Sequence, residues 1–194
     1  MKMKKLIFYH IGYSFVFLIL FVLISCKENK TLSLYKDMIN KKIHIIDSFP
    51  IRIGENFLNE TEKKEIFLKN IKMIIIINGY CEFCFTQIEE WKDFILTLKL
   101  LDSSKITFLF YVYSLNYLPF NSYISTINFE YPIVYDTNNF FAKLNNIPDD
   151  NILNTMLVFN DTIRLSGNPI LIPKMKKLYI NYFKEIINNP DFKK

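Results

Sequence analysis

The stretch Met73–Ile77, MIIII, restricts this chain more than any other feature. Five consecutive large apolar side chains leave a strand with no polar face. Such a strand has to be covered on both sides, as a central strand is between helix layers. Asn78-Gly79-Tyr80-Cys81 follows at once. From Glu82 to about Leu101 the apolar residues Phe85, Ile88, Trp91, Ile95 and Leu98 then recur every three or four positions, the buried stripe of a helix. The expected unit is strand, sharp turn, helix, with Cys81 and Cys84 at the start of the helix.

Lys105–Ser114, KITFLFYVYS, reads as a second fully buried strand, so the intervening helix makes a crossover and the two strands pair in parallel. The rest of the chain completes an α/β pattern. Residues 33–40 suit a helical turn or two, and Lys42–Asp47 has the β-branched character of a strand ending near Pro50. Leu118–Phe129 contains a short helix. Tyr131–Tyr135 is a short strand whose Pro132 points to a sheet edge, and Asn138–Asn145 is another short helix. Met156–Asn160 and Ile163–Ser166 form a hairpin around Asp161-Thr162, a pair outside the favoured turn sequences. Pro173 opens a final amphipathic helix to about Ile187, with Met175, Leu178, Tyr179, Tyr182 and Phe183 on or near one face. There is no internal repeat and no Pro/Gly/Ser-rich linker, and 194 residues with 51% hydrophobic content are enough for one core.

The first residues bear on compartment. Lys2, Lys4 and Lys5 precede an almost uncharged run from Ile11 to Ile24, the layout of a secretory signal. Leu23-Ile24-Ser25-Cys26 resembles the lipobox of bacterial lipoproteins, a resemblance that implies cleavage before Cys26 and lipidation of its sulfur. The expected organisation is a signal over 1–25 and a single domain over 26–194, beginning with a short polar tether at 27–33. An uncleaved anchor helix is the alternative, since Ile7–Ile24 reaches spanning length if His10 is tolerated. Either way the domain is exported and membrane-tethered, facing the periplasm or cell surface. Loss of the signal takes three lysines and no acid with it, lowering the formal charge from +5 to +2. A nearly balanced domain has no basic stripe, so nucleic acid is not an expected partner.

Of three cysteines, Cys26 is committed to lipid, which leaves Cys81 and Cys84 as an even pair in a compartment where disulfides persist. A sulfur at a helix N-terminus faces unpaired backbone N–H groups and the positive end of the dipole, which favours its thiolate; Cys81 therefore reads as the attacking sulfur. Cys84, one turn deeper, can attack a mixed disulfide and release the partner. Glu82 opposes thiolate formation at Cys81 only if its carboxylate comes close.

The order β-(CxxC)-α-β, inserted α/β segment, hairpin and closing helix resembles the thioredoxin-like family, in its TlpA/ResA-like and peroxiredoxin-like variants. The matching pieces are IIIINGYCEFCFTQIEEW, TFLFYVYS, YPIVYDTNNFFAKLNNIP and TMLVFNDTIRLSGNP. The layout is similar to thioredoxin-like lipoproteins of Bacteroidetes-type bacteria. The resemblance implies a three-layer α/β fold, a central mixed sheet flanked by helices with an α/β insertion, and thiol–disulfide exchange on exported proteins without a cofactor. Redox members of the family carry tryptophan before the first cysteine, where Tyr80 here supplies an aromatic wall. They also carry a cis-proline before the hairpin strand, next to backbone groups that bind the substrate chain. Asn154-Thr155 occupies that place, and a cis bond between non-proline residues costs about 2.5–4 kcal/mol, so a trans bond is expected. Tyr80, Asn154 and Thr155 are the implied substrate-binding positions.

Other readings of the pair are a structural disulfide, which over so short a loop adds little stability by chain entropy, and zinc, which needs two further ligands where the sequence offers only His44. The peroxidase pattern wants proline and threonine where this chain has Ile74 and Asn78. Trp91 and His44 read as structural residues, Asp136 as a turn or cap, and Glu89 or Glu90 as a possible proton acceptor for Cys84.

Overall fold

The computed structural model describes residues 31–99 and 106–188. The expected signal over 1–25, the lipidated Cys26, tether residues 27–30, the helix end at Leu101 and the strand start at Lys105 lie outside the described residues. Helix α1 (31–38) takes in what the sequence suggested as the end of the tether. The chain divides into two compact units, Met1–Asp37 and Met38–Lys194. The second unit holds the whole sheet and the Cys81–Cys84 pair.

At the centre of this second unit is a mixed sheet of seven strands: β1 (Ile51–Ile53), β2 (Asn56–Phe57), β3 (Ile71–Asn78), β4 (Ile106–Tyr113), β5 (Ile133–Tyr135), β6 (Thr155–Phe159) and β7 (Thr162–Ser166). Their order across the sheet is β2-β1-β5-β4-β3-β6-β7. β3 pairs with β4 in parallel over its whole length, from Ile71 opposite Ile106 to Asn78 opposite Tyr113, as the two apolar runs predicted. All residues of β3 up to Ile77 are buried. Helix α2 (Glu60–Phe67) precedes β3, α3 (Glu82–Lys99) joins β3 to β4, and α4 (Leu118–Thr126) and α5 (Phe140–Leu144) flank β5. Helix α6 (Pro173–Asn188) closes the unit.

One face of the sheet presents Met73, Ile75 and Ile77 of β3 and Phe108, Phe110 and Val112 of β4 to a core shared with α3, α4 and α6. Trp91 sits inside it, edge-on to Phe94 and Phe110 at 5.8 and 6.1 Å between ring centroids, so it is a packing residue. On the other face Tyr111 stacks on Phe141 of α5 at 4.1 Å. In α6, Tyr179, Phe183 and Ile186 are buried and Met175 and Tyr182 partly so, whereas Leu178 is exposed. The expected face was therefore one residue too wide.

Several local expectations are corrected. Lys42–Asp47 makes no strand, only an isolated bridge between Lys42 and Thr162; strand structure begins after Pro50 instead. β5 is interior, between β1 and β4. Pro132 lies just before it, where the missing N–H is not needed and its carbonyl accepts from Phe110 N–H at 3.0 Å. The hairpin turns on Asn160-Asp161, one residue earlier than expected. Both residues have positive φ, 47° and 56°, the conformation a two-residue turn demands and one that Asn and Asp tolerate.

Gly79 has a steric reason to be glycine. Its N–H donates to Tyr113 O at 2.9 Å, extending the β3–β4 ladder one residue beyond the strand. An added Cβ would lie 2.9 Å from Ser114 Cβ and 3.2 Å from Tyr113 O. Gly79→Ala is expected to lower the unfolding free energy by about 1–3 kcal/mol in urea titration. A loss under about 0.5 kcal/mol, the range of surface substitutions, would show that the approach is not tight.

Candidate active site

The β3–α3 junction is built by Asn78. Its Oδ1 accepts Tyr80 N–H at 3.0 Å, and its backbone carbonyl accepts Cys81 N–H at 3.2 Å. The chain thereby turns sharply between the strand and the helix. Cys81 stands immediately before the first residue of α3, and its carbonyl accepts Cys84 N–H at 2.9 Å. In the same arc Tyr80 is 54% exposed, and its hydroxyl accepts the Leu115 N–H, tying the turn to the end of β4.

The two sulfurs have unlike surroundings. Both are thiols; Cys81 is half-buried at the edge of the core, and Cys84, 9% exposed, is part of it. Burial pushes the Cys84 thiol up from 9.0 to about 12, helped by its hydrogen bond to Cys81 and by that sulfur's charge, against a backbone hydrogen bond from Asn78.

Sheet direction brings further residues to this end. β6 runs antiparallel to β3 with Thr155 opposite Ile75, so Asn154 and the loop before it lie beside the exit of β3. The Asn154 carbonyl accepts Ile76 N–H, and its side-chain amide donates to Ile76 O, both at 2.9 Å. Asn154 is thus fastened to β3 at two points. Asn168, fully buried, donates to Asn154 Oδ1 at 3.2 Å and to Asn151 O at 3.4 Å, fixing the loop from behind. Thr155 is also fully buried, its hydroxyl 3.3 Å from Asn154 Oδ1. No cis peptide bond occurs among the described residues, so the Asn154–Thr155 bond is trans.

Sequence reading did not single out Tyr113. It pairs with Asn78 in the ladder, and its side chain is half-buried. Burial first, then the charges of Asp149, Cys84 and Cys81, hold its hydroxyl above the ordinary tyrosine value. Only the strand register could have revealed this neighbour. The carboxylates considered for Cys84 are placed differently: Glu90 is exposed, and Glu89 meets the Tyr123 hydroxyl. Asp136, buried, accepts from Phe140 and Phe141 N–H at 2.7 and 2.8 Å and so caps α5. The exposed His44 is held through its backbone by Asn145. Among the described residues no group of three or more His, Cys, Asp or Glu could hold a metal ion, and no helix is long and apolar enough to cross a membrane.

No family model matches the sequence, and neither does any curated protein. Solved structures do. A candidate protein disulfide isomerase from Bacteroides thetaiotaomicron superposes with a TM-score of 0.55 at 14% identity, over 78% of this chain and 91% of that one. The C-terminal domain of a candidate thiol–disulfide oxidoreductase from the same species gives 0.54 at 16%, over 76% and 97%. The mitochondrial 2-Cys peroxiredoxin of Plasmodium falciparum gives 0.50 at 18%, over 77% and 94%. The fold is therefore thioredoxin-like, with an α/β segment inserted between β4 and β6.

The difference between the sulfurs can be read by alkylation. An ordinary thiol at 9.0 is about one-tenth thiolate at pH 8; one near 12 is thiolate at about one part in 10⁴. Iodoacetamide labelling located by mass spectrometry is expected to leave Cys84 unmodified at pH 8, with its rate still climbing between pH 9 and 11. A plateau below pH 9 would contradict the burial described.

Proposed function

We propose that this chain is a thiol–disulfide oxidoreductase acting on exported proteins, with Cys81 as the attacking and Cys84 as the resolving sulfur. The observation that carries it is the pairing of a partly exposed thiol with a buried thiol at a strand-to-helix turn. The fold supports the reading, since solved structures that share it include proteins named for thiol–disulfide chemistry.

In the reducing direction the Cys81 thiolate attacks one sulfur of a substrate disulfide, forming a Cys81 mixed disulfide and releasing the other sulfur as a thiolate. Cys84 then attacks Cys81 Sγ, the substrate sulfur leaves, and two electrons have passed to the substrate while Cys81 and Cys84 become a disulfide. Cys84 being one turn along α3 gives it the reach, and its burial keeps it from reacting first. Tyr80 forms an exposed wall beside Cys81, and the Asn154–Thr155 segment faces the docked substrate chain. The chain requires no cofactor for this chemistry. The signal over 1–25 and the lipid on Cys26 place the domain, 26–194, on a membrane facing the periplasm or cell surface, where disulfide-bearing proteins are its partners.

One observation favours a second reading, a non-catalytic binding or structural scaffold. The Asn154 carbonyl and amide are both spent on Ile76. A backbone carbonyl that already accepts a hydrogen bond is a weaker dock for an incoming chain.

Trapping separates the two. A Cys84→Ser variant is expected to accumulate mixed disulfides through Cys81 with envelope proteins, resolved on non-reducing gels and identified by mass spectrometry. Capture no greater than that of the double variant Cys81→Ser/Cys84→Ser would favour the scaffold.

A further inference from the structure

The end of the sheet that carries Cys81 also carries a groove that the exchange between two sulfurs does not use. Five aromatic residues line it, Phe49, Phe57, Tyr117, Tyr135 and Phe140, around a volume of about 540 Å³. The rings brace one another: Tyr135 lies 4.8 Å from Tyr117 and 5.7 Å from Phe57 between centroids. Asp136 is the one charged residue of the lining, and its buried carboxylate is spent on the N–H groups of Phe140 and Phe141. A concave aromatic surface with no free charge takes an uncharged, apolar side chain, because a charged one would lose water without gaining a partner.

A short loop joins this groove to the cysteines. Gly79 N–H donates to Tyr113 O and Leu115 N–H to the Tyr80 hydroxyl, so the loop after β4 starts fastened to the turn that carries Cys81. Two residues further on, Tyr117 forms a wall of the groove, its hydroxyl donating to Val112 O at 3.0 Å. Leu115 and Leu118, 78% and 74% exposed, leave large apolar side chains in water on the same loop. The strand ladder sets the span. Ile77 pairs with Val112 and Val112 with Tyr135, which puts Ile77 and Tyr135 two strand spacings, roughly 10 Å, apart. An extended chain covers that distance in about three residues.

We propose that this groove is a specificity subsite of the exchange reaction, taking a large uncharged side chain that stands about three residues from the substrate cysteine under attack by Cys81. The substrate is then an extended polypeptide, an exported protein that is unfolded around its disulfide, since a folded surface does not offer such a side chain at that spacing. Continuity with the Cys81 turn and the lack of a free charge in the lining select this occupant. The proposal rests on the oxidoreductase reading and gives it a substrate class.

The test uses the purified, reduced chain and short peptides whose single cysteine is capped as a nitrobenzoate disulfide, so that attack on the peptide sulfur releases a coloured thiolate. Four peptides differ only in where a phenylalanine stands: three residues before the cysteine, three after it, next to it, or nowhere, with serine in its place. One of the two peptides with the wider spacing is expected to react about tenfold faster than the adjacent and serine peptides, the effect of burying one large apolar side chain. Phe57→Ser and Phe140→Ser, both at exposed positions, are each expected to abolish that preference, a ratio that any general loss of activity leaves untouched. An equal preference for the adjacent phenylalanine, equal rates for all four peptides, or a ratio that survives both substitutions overturns the subsite. So does a wild-type chain that sediments as a dimer and becomes monomeric with Phe57→Ser, which would seat a second copy in the groove. If Cys84 never resolves the Cys81–peptide disulfide, the oxidoreductase reading falls and the subsite with it. If resolution proceeds and the four peptides react alike, the subsite alone falls.

Discussion

The bond from Gly79 N–H to Tyr113 O, 2.9 Å long and made where no Cβ fits, fixes the rest of the site. It continues the parallel ladder one residue past β3, so the chain leaves the sheet at a defined place and height. Asn78 then holds the next two N–H groups with its side chain and carbonyl. Cys81 can only emerge directly before α3, with Cys84 one turn inside. A bulkier residue at 79 would part the two strands where the sulfurs depend on them most.

That geometry separates two chemically identical side chains. Cys84 belongs to the core around Trp91 and Ile88, and burial there stabilises its neutral form; Cys81 keeps access to solvent. Parallel strands contribute to the same end of the sheet because each of β3, β4 and β5 finishes there, and antiparallel β6 begins there. Asn78, Tyr113, Asp136 and Asn154 therefore converge from distant parts of the sequence. A groove of about 540 Å³ lined by Phe49, Phe57, Tyr117, Tyr135 and Phe140 opens at the end of β5. Two strand spacings, roughly 10 Å, separate that strand from β3.

Legibility in the sequence depends on how locally each element is determined. β3, α3 and β4 were legible because apolar runs and a helical stripe are properties of consecutive residues. The hairpin was legible to within one residue; its turn depends on Asn160-Asp161 taking left-handed conformations, which composition alone suggests weakly. Helix α2 went unread because it has no apolar stripe, and only Lys63 of its residues is buried. Its one signal was Asn59 with Glu62 three residues on, a reciprocal cap formed here at 2.8–3.1 Å. β1 and β2 are too short to show a period and exist through pairing, β1 with β5 and β2 with β1. Within the site, the two cysteines announced themselves by spacing. The position of Tyr113 beside the turn could not be read because its pairing with Asn78 depends on a register between strands 35 residues apart.

The proposed function requires that the Cys81–Cys84 pair exchange electrons rather than serve as a fixed bridge. Its reduction potential, measured by equilibrating the purified chain with glutathione and thioredoxin-type redox buffers, tests this most directly. A value between about −120 and −270 mV, the range of exchanging dithiols, is expected. A value below about −300 mV, that of a permanent structural bond, would contradict it.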